Sequence, residues 1–329
     1  LCMKRIAQTR SFTSLIDSDC IYIDKTKEIS SLLMHERVFI SRPRRFGKSL
    51  LLDTIGTLFE YGTEPYFHGT WIYDKWKEKK YPVLRISFLR FSCTDYGNFC
   101  RDFDRCIAGF ARLHGIDYVS QDRPASSMSE LFDLLEINKV KIVILIDEYD
   151  AQLAANINNP ELYECFRTAI REFYCVIKDE LLIKFIGITG VTRLKDVSVF
   201  SVGSDIHDAS YDADVATITG FTGEEIRKYY ADYIDLAVSL EKGIAEENVT
   251  EEQREELLGR LAENYNGYCF DETNTAKVFS TWSVSSFFFD LYRKRFVCFG
   301  EYWYENGGRP TILLNYLKSH KFDISSYND

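Results

Sequence analysis

The 329-residue sequence is 46% hydrophobic and 27% charged, with 6 proline and 18 glycine residues. This composition excludes a disordered, collagen-like or low-complexity chain, and the length favours one large domain with an appended smaller one. The 50 acidic residues outnumber the 40 basic ones, giving a net charge of −10. Nucleic-acid binding by overall charge is therefore not indicated, although a local basic groove stays open.

The nine cysteines include no Cys-x-x-Cys pair, and neither they nor the five scattered histidines show the spacing of a metal site. We therefore predict reduced thiols in the core of a cytoplasmic protein. The longest strongly apolar run, residues 142–146, is too short to cross a bilayer, and residues 1–30 lack the apolar segment of a signal peptide. No membrane-spanning segment is expected.

Strands and helices alternate through the first two thirds of the chain. The predicted elements are a strand at 38–41, a helix at 50–60, a strand at 81–91, helices at 96–113 and 127–135, a strand at 141–146, a helix at 160–178 and a strand at 182–188. This order predicts a mostly parallel sheet covered by helices on both faces, a three-layer α/β domain over residues 11–220.

The pattern changes after a weak strand predicted at 214–219. Thr222 and Glu225 have the spacing of a capping box, which predicts a helix at 223–240, and a second helix is expected at 250–264. We place a boundary near Gly220 and expect a mostly helical subdomain over residues 221–329. The polar segment 196–213 between the two units is expected to be a mobile loop that responds to a bound ligand.

The strongest chemical signal is the run Ser41-Arg-Pro-Arg-Arg-Phe-Gly47-Lys48-Ser49. In a phosphate loop, backbone N–H groups point at the phosphates, a lysine contacts their oxygens and a serine ligates Mg²⁺. Arg42 stands where the first glycine is usual, and an ordinary helix start is the alternative for this run taken alone. The expected nucleotide contacts are Arg44, Arg45, Phe46, Gly47, Lys48, Ser49 and Leu50.

A second signal is the apolar strand that ends in Asp147 and Glu148. Beside a phosphate loop, Asp147 and Ser49 would hold Mg²⁺, and Glu148 would deprotonate the attacking water. A strand that merely leaves the core at Asp147 is the alternative. The two motifs together favour a nucleotide site.

The strand at 182–188 leads into Thr189, which we choose first as a polar group that contacts the attacking water or the γ-phosphate, with Thr192 second. A threonine in a turn is the alternative for either residue. Arg193 is a candidate arginine finger, and a surface ion pair is the alternative for it.

Two further groups of residues each allow two interpretations. Arg42, Arg44 and Arg45 would contact phosphates or reach a carboxylate such as Asp150. The aromatic segments 265–270 and 282–289 form the core of the subdomain, the favoured interpretation, or a platform on which a base stacks.

Six ordered motifs resemble those of the predicted AAA-ATPase-like family, whose members often carry a C-terminal PD-(D/E)XK nuclease-like domain. The likeness runs from about residue 12 to about residue 317, and the motifs are Tyr22-Ile-Asp-Lys25-Thr26, Arg42-Pro-Arg-Arg-Phe-Gly-Lys-Ser49, Ile146-Asp-Glu-Tyr-Asp150, Ile188-Thr-Gly190, Gly220-Phe-Thr-Gly-Glu-Glu225 and Tyr265-Asn-Gly-Tyr268.

The resemblance implies a P-loop sheet of the ASCE type, with an extra strand (81–91) between the two nucleotide motifs and a helical lid after Gly220. It assigns Lys48 and Ser49 to phosphate and Mg²⁺, Asp147 to the metal and Glu148 to the base, and it makes Arg42 a family trait. The chain departs from the family at Gln152, where proline is usual, and at Cys269, where a basic residue is usual.

The expected function is that of an ATP-binding protein and Mg²⁺-dependent ATPase. The alternative is a nucleotide-dependent switch or scaffold with little turnover that controls a fused or separate effector, such as a nuclease-like domain. An oligomer is compatible with either. A nucleic-acid enzyme in its own right is disfavoured because the net charge is negative and no nuclease constellation is evident.

Overall fold

A computed structural model describes residues 3–178, 180–192 and 205–302. Its centre is a five-stranded parallel sheet in the order β2-β3-β4-β1-β5. The strands are β1 (Arg37–Ser41), β2 (Val83–Ser87), β3 (Ile142–Asp147), β4 (Ile183–Gly190) and β5 (His207–Asp208). The predicted parallel α/β sheet is confirmed, and its strand order is typical of P-loop nucleotide-binding folds.

The helices lie on both faces of this sheet and then continue into a helical C-terminal region. They are α1 (Phe12–Asp17), α2 (Thr26–Leu32), α3 (Lys48–Tyr61), α4 (Tyr96–Leu113), α5 (Pro124–Asn138), α6 (Ala151–Ala155), α7 (Pro160–Ile177), α8 (Gly223–Tyr229), α9 (Ala231–Lys242), α10 (Glu251–Tyr265) and α11 (Thr281–Lys294). A short antiparallel hairpin of β6 (Tyr268–Cys269) and β7 (Lys277–Val278) precedes α11.

The central strand β3 shows why the sheet needs helices on both faces. Side chains alternate across a strand, so Ile142, Ile144 and Ile146 join the core cluster that contains α4, α5 and α7. Val143 and Leu145 join the opposite cluster, which contains α1, α2 and α3. A strand that is apolar on both sides is stable only when both faces are covered.

Two predicted strands differ from the structure. The strand expected at 81–91 ends at Ser87 and continues as a 3₁₀ turn over Phe88–Arg90. In the sequence this strand, β2, lies between the two nucleotide motifs, but in the sheet it does not. In the sheet β2 is one of the two edge strands, and β4 is the strand between β1 and β3.

The strand expected at 214–219 is wrong. That stretch begins with a 3₁₀ turn, Ala213–Val215, and the nearby strand is β5, whose His207 pairs with Val38 of β1. Residues 205–213 of the predicted mobile loop therefore belong partly to the sheet, with Ala209 and Ser210 buried. Residues 193–204 lie outside the described part of the chain.

The C-terminal region has its own apolar cluster, formed by α8, α9, α10 and α11. The predicted capping box is present, because Thr222 Oγ1 accepts from the N–H of Glu225 while Glu225 accepts from the N–H of Thr222. The helix predicted at 223–240 divides at Tyr230 into α8 and α9. Ile23 from the N-terminal segment also packs into this cluster.

The eight described cysteines are free thiols, and Cys2 lies outside the described residues. Cys20 and Cys100 are buried, whereas Cys165, Cys175 and Cys298 are exposed. The prediction that the thiols lie in the core is wrong for these three. Within the described ranges, no helix has the length and apolar character needed to span a membrane.

Candidate functional site

The loop between β1 and α3 presents an open helix start. Gly47, the N-cap of α3, has φ +83°, which is the left-handed region that glycine adopts readily, and no side chain caps this helix. Among the described residues, the backbone N–H groups of Gly47, Lys48, Ser49 and Leu50 find no hydrogen-bond acceptor. Unpaired N–H groups together with the helix dipole form a binding site for an anion such as phosphate.

The Lys48 side chain lies across this loop. Its Nζ donates to the carbonyl oxygens of Arg42, at 3.0 Å, and Pro43, at 2.9 Å. Burial lowers the pKa of Lys48, and the nearby carboxylates of Glu148 and Asp147 oppose that shift. The ammonium group is therefore held inside the loop by its carbonyls and faced by two acids.

Asp147 is hydrogen-bonded from two sides. Ser49 Oγ, in the first turn of α3, donates to Asp147 Oδ2 at 2.6 Å. Thr189 Oγ1, at the end of β4, donates to Asp147 Oδ1 at 2.7 Å. Because β1, β4 and β3 are parallel neighbours, their carboxyl ends bring these three side chains to one edge of the sheet. A carboxylate with two adjacent hydroxyls is a set of oxygen ligands that suits Mg²⁺.

Glu148 follows at the end of the strand with φ +51°, an uncommon backbone conformation for a residue other than glycine. It is half-buried and lines the same cavity as Lys48 and Ser49. Burial raises the pKa of Glu148, the charge of Lys48 opposes this, and Asp147 adds to it. A carboxylate with a raised pKa is a stronger base than an ordinary one, as a general base requires.

The next two residues support the loop after β4. Asp150 Oδ2 accepts from the N–H groups of Val191, at 3.1 Å, and Thr192, at 2.7 Å. The hydroxyl of Tyr149 donates to the carbonyl oxygen of Thr192 at 3.2 Å. Thr189 is thus the threonine that reaches Asp147, whereas Thr192 is held through its backbone. Arg193, the candidate arginine finger, lies outside the described residues.

The three arginines of the loop have different surroundings. Arg42 is 1% exposed and donates to the carbonyl oxygens of Ser210, at 2.7 Å, and Val215, at 3.4 Å. Burial lowers its pKa to about 10. Its guanidinium carbon lies 4.2 Å from the ring centroid of Phe270. The guanidinium of Arg42 therefore points into the core, where the nearby carboxylate whose charge acts on it is Asp208 rather than Asp150. Phosphate contact by Arg42 stays a prediction.

Arg44 is exposed, and its charge acts on both Lys48 and Glu148. Arg45 has φ +68°, and its guanidinium carbon lies 4.1 Å from the ring centroid of Trp282. The carbonyl oxygen of Arg45 accepts from Thr281 Oγ1 at 2.8 Å. The loop is thereby attached to the first turn of α11.

Phe46 anchors the loop to the C-terminal region through its side chain. Its side chain is fully buried between Tyr268 and Phe270 of the β6–β7 hairpin, at ring-centroid distances of 4.6 and 5.5 Å. The segment 265–270 therefore contributes to a core, as the favoured interpretation held, and part of that core belongs to the phosphate loop.

A cavity of about 230 Å³ adjoins the loop. Its walls come from the N-terminal segment, the loop, the residues around Gly220 and the start of α11. Trp282 lines it, so the alternative of an aromatic surface for a base stays open at this one residue. The sequence reasoning missed most of these walls, which include Gln8, Thr9, Arg10, Tyr22, Lys25, Ile218, Thr219, Phe221, Thr281 and Ser285.

Comparison with known proteins agrees with this geometry. A family model described as "AAA-ATPase_like: Predicted AAA-ATPase" matches residues 7–200. An "Uncharacterized protein in vnfD 5'region" of Azotobacter chroococcum mcd 1 is 30% identical over an alignment of 315 residues, and the match covers 92% of this chain and 54% of that protein. The chain thus spans about half the length of the curated relative that it matches.

Proposed function

The chain belongs to the predicted AAA-ATPase-like family, and from this premise we propose that it binds ATP together with Mg²⁺ and hydrolyses the nucleotide. The observation that carries the proposal is the pair of hydrogen bonds from Ser49 and Thr189 to Asp147. They lie beside a helix start whose N–H groups lack acceptors among the described residues. Each of these features has a defined task in phosphoryl transfer.

In this proposal the triphosphate lies on the open helix start, and the nucleoside lies in the adjoining cavity. The N–H groups from Gly47 to Leu50 would donate to phosphate oxygens, and Lys48 has a donor left after its two carbonyl bonds. The positive charge of Arg44, exposed at the loop, would add to phosphate affinity. Trp282 and the N-terminal segment would enclose the base and ribose.

Ser49 and Asp147 would hold the Mg²⁺ ion, which neutralises charge on the phosphate oxygens when bound. Thr189 would keep the Asp147 carboxylate oriented through its hydrogen bond. Glu148 would accept a proton from the attacking water, because burial has raised its pKa and so its basicity.

Two variants test the proposal. Lys48→Ala should lose most of its affinity for a fluorescent ATP analogue, whereas Lys77→Ala, which changes an exposed lysine, should bind normally. Glu148→Gln should still bind but lose turnover by at least ~10²-fold, the size of a general-base contribution. Normal binding by a folded Lys48→Ala protein would overturn the binding half of the proposal, and normal turnover by Glu148→Gln would overturn the catalytic half.

A nucleotide-dependent switch is the second candidate. It is favoured by the contacts of Phe46 with the β6–β7 hairpin and of Arg45 with Trp282, since both join the loop to the C-terminal region. A change in the loop on nucleotide binding would therefore be transmitted to that region. If nucleotide stays bound to the protein through purification while steady-state ATP turnover is close to zero, the switch is favoured over the ATPase.

A further inference from the structure

A cluster of two histidines and an aspartate lies away from the nucleotide residues. The imidazole rings of His35 and His207 stack with their centroids 3.9 Å apart and their planes 16° from parallel. His207 Nε2 lies 2.5 Å from Asp212 Oδ2. One ligand atom from each of the three side chains falls within 4.8 Å of the others. The spacing in the sequence, 35 to 207 to 212, gave no sign of this cluster.

The backbone holds all three residues in defined positions. His207 belongs to β5 and pairs with Val38 of β1. The N–H of His35 donates to the carbonyl oxygen of Leu32 at the end of α2, two residues before β1 begins. The N–H of Asp212 donates to the carbonyl oxygen of Ala209 and so closes the 3₁₀ turn after β5. The cluster is therefore built on the edge of the sheet.

We propose that this cluster binds one divalent transition-metal ion of the Zn²⁺ type. Two imidazoles and one carboxylate are the ligands that Zn²⁺, Co²⁺ and Ni²⁺ accept, whereas Mg²⁺ and Ca²⁺ prefer oxygen alone. Zinc lies about 2.0–2.1 Å from such atoms, so tetrahedral ligands are roughly 3.3 Å apart. Stacked rings point their nitrogens along parallel lines, so the exposed His35 ring would rotate out of its stack with His207 to direct a nitrogen at the same ion. Water would complete the coordination.

The site has a structural consequence for the neighbouring phosphate loop. Ser210 lies between His207 and Asp212, and its Oγ accepts from the N–H of Ser41 at 2.9 Å. The carbonyl oxygen of Ser210 accepts from Arg42 at 2.7 Å. A metal ion that joins His35 to both ends of this short segment would hold the segment against β1, and with it the start of the loop. The proposal uses none of the proposed nucleotide contacts and stands apart from the proposed ATPase activity.

Titration with Co²⁺ tests the site on the full 329-residue chain after treatment with a chelator. Co²⁺ bound to imidazole and carboxylate should give visible d–d bands without the near-ultraviolet charge-transfer band of a thiolate ligand, which separates this site from any formed by the cysteines. We expect one equivalent to bind, with Zn²⁺ displacing it. Binding should also raise the melting temperature, because the ion binds the folded state only.

Three substitutions and one control complete the test. His35→Gln, His207→Gln and Asp212→Asn should each weaken Co²⁺ binding by at least tenfold, whereas His114→Gln, which changes an exposed histidine just after α4, should bind like the unmodified protein. Since His35 is exposed, its variant should fold normally, which the melting curve without metal verifies. Absence of binding, binding through thiolates, or equal affinity in His35→Gln and His114→Gln would overturn the proposal.

Discussion

Lys25 and Glu225, 200 residues apart in the chain, form an ion pair in which the ammonium group contacts both carboxylate oxygens, at 2.6 and 2.7 Å. Their side chains are only 10% and 19% exposed. Glu225 also accepts from the N–H of Thr222 at the start of α8. Two of the six sequence motifs, at 22–26 and 220–225, therefore meet in this pair, which ties the N-terminal segment to the helical region.

Removing one partner of this pair should destabilise the protein. We expect Lys25→Met to lower the free energy of unfolding by about 3 kcal/mol, because it leaves the Glu225 carboxylate buried without its cation. Arg227 lies on the same helix as Glu225, and Arg227→Met removes its exposed pair with Glu255 of α10, which should change stability by about 0.5 kcal/mol or less. Urea unfolding measures both. Equal effects would show that the buried pair contributes no more than a surface pair.

Thr189 allows a test of how Asp147 is held. Thr189→Val removes the hydroxyl that donates to Asp147 Oδ1, whereas Thr189→Ser keeps it. Loss of a hydrogen bond to a charged group has an effect of about 1.5–3 kcal/mol, so the valine variant should lose turnover by about tenfold or more and need more Mg²⁺. Single-turnover assays over a range of Mg²⁺ concentrations measure this. If the serine variant is impaired and the valine variant is not, the methyl group and not the hydroxyl is what matters.

Arg42 and Arg44 should separate stability from ligand binding. Arg42→Met leaves the carbonyl oxygens of Ser210 and Val215 without their donor, and we expect a loss of roughly 3 kcal/mol in the free energy of unfolding. Arg44→Met changes an exposed side chain, so stability should stay within about 0.5 kcal/mol while nucleotide affinity falls. Urea unfolding and nucleotide titration give the two readouts. The reverse pattern would contradict the assignment of Arg42 to the core.

Gly190 lies against the ring of Tyr149. A Cβ atom at this position would come within 2.5 Å of Tyr149 Cε1. Gly190→Ala should therefore destabilise the protein by about 1–3 kcal/mol through overpacking. Gly259→Ala, inside α10 with no atom within 4 Å of the new Cβ, should stabilise it by about 0.5–1 kcal/mol. Thermal unfolding of the two variants should shift in opposite directions, and a common direction would contradict the contact.

Glu148 should make the stability of the protein depend on pH. Burial raises its pKa above the ordinary value of 4.5, so ionisation disfavours the folded state. The stability that the folded state gains from holding Glu148 protonated is fully present at pH values below 4.5. It is lost as the pH rises through the raised pKa. Glu148→Gln cannot ionise, so without nucleotide it should melt at a higher temperature than the unmodified protein at pH 8, with the difference shrinking towards pH 4. A difference independent of pH would point to packing instead.

The sequence predicted those parts of the site that depend on local pattern. Gly47, Lys48 and Ser49 follow an apolar run, and Asp147 ends another, so the carboxyl ends of two buried strands could be recognised without the structure. The position of β4 between those two strands could not be predicted. Strand order depends on how the strands are connected, and the hydrophobic periodicity of the sequence does not report this.

The orientation of the Arg42 side chain could not be predicted from the sequence either. An arginine beside a phosphate loop suggests phosphate binding, but besides the neighbouring Ser41 the carbonyl oxygens that accept from it lie 168 and 173 residues further along the chain. The same holds for His35 and His207, which meet only because β5 pairs with β1. Long-range pairing of this kind decides the partner of a polar side chain, and local spacing does not report it.

The Lys48 ammonium group already has two carbonyl acceptors of its own loop. Because the ammonium group already donates two hydrogen bonds, it contributes less binding free energy to an anionic ligand than an ammonium group without partners would. A single phosphate group, with few oxygens and no contact to the adjoining cavity, should therefore compete poorly for the site. In the proposed complex, a nucleoside triphosphate would contact the loop and the cavity together. If the proposed site binds ATP, these two carbonyl groups would therefore favour the nucleotide over small free anions, which are abundant in any cell.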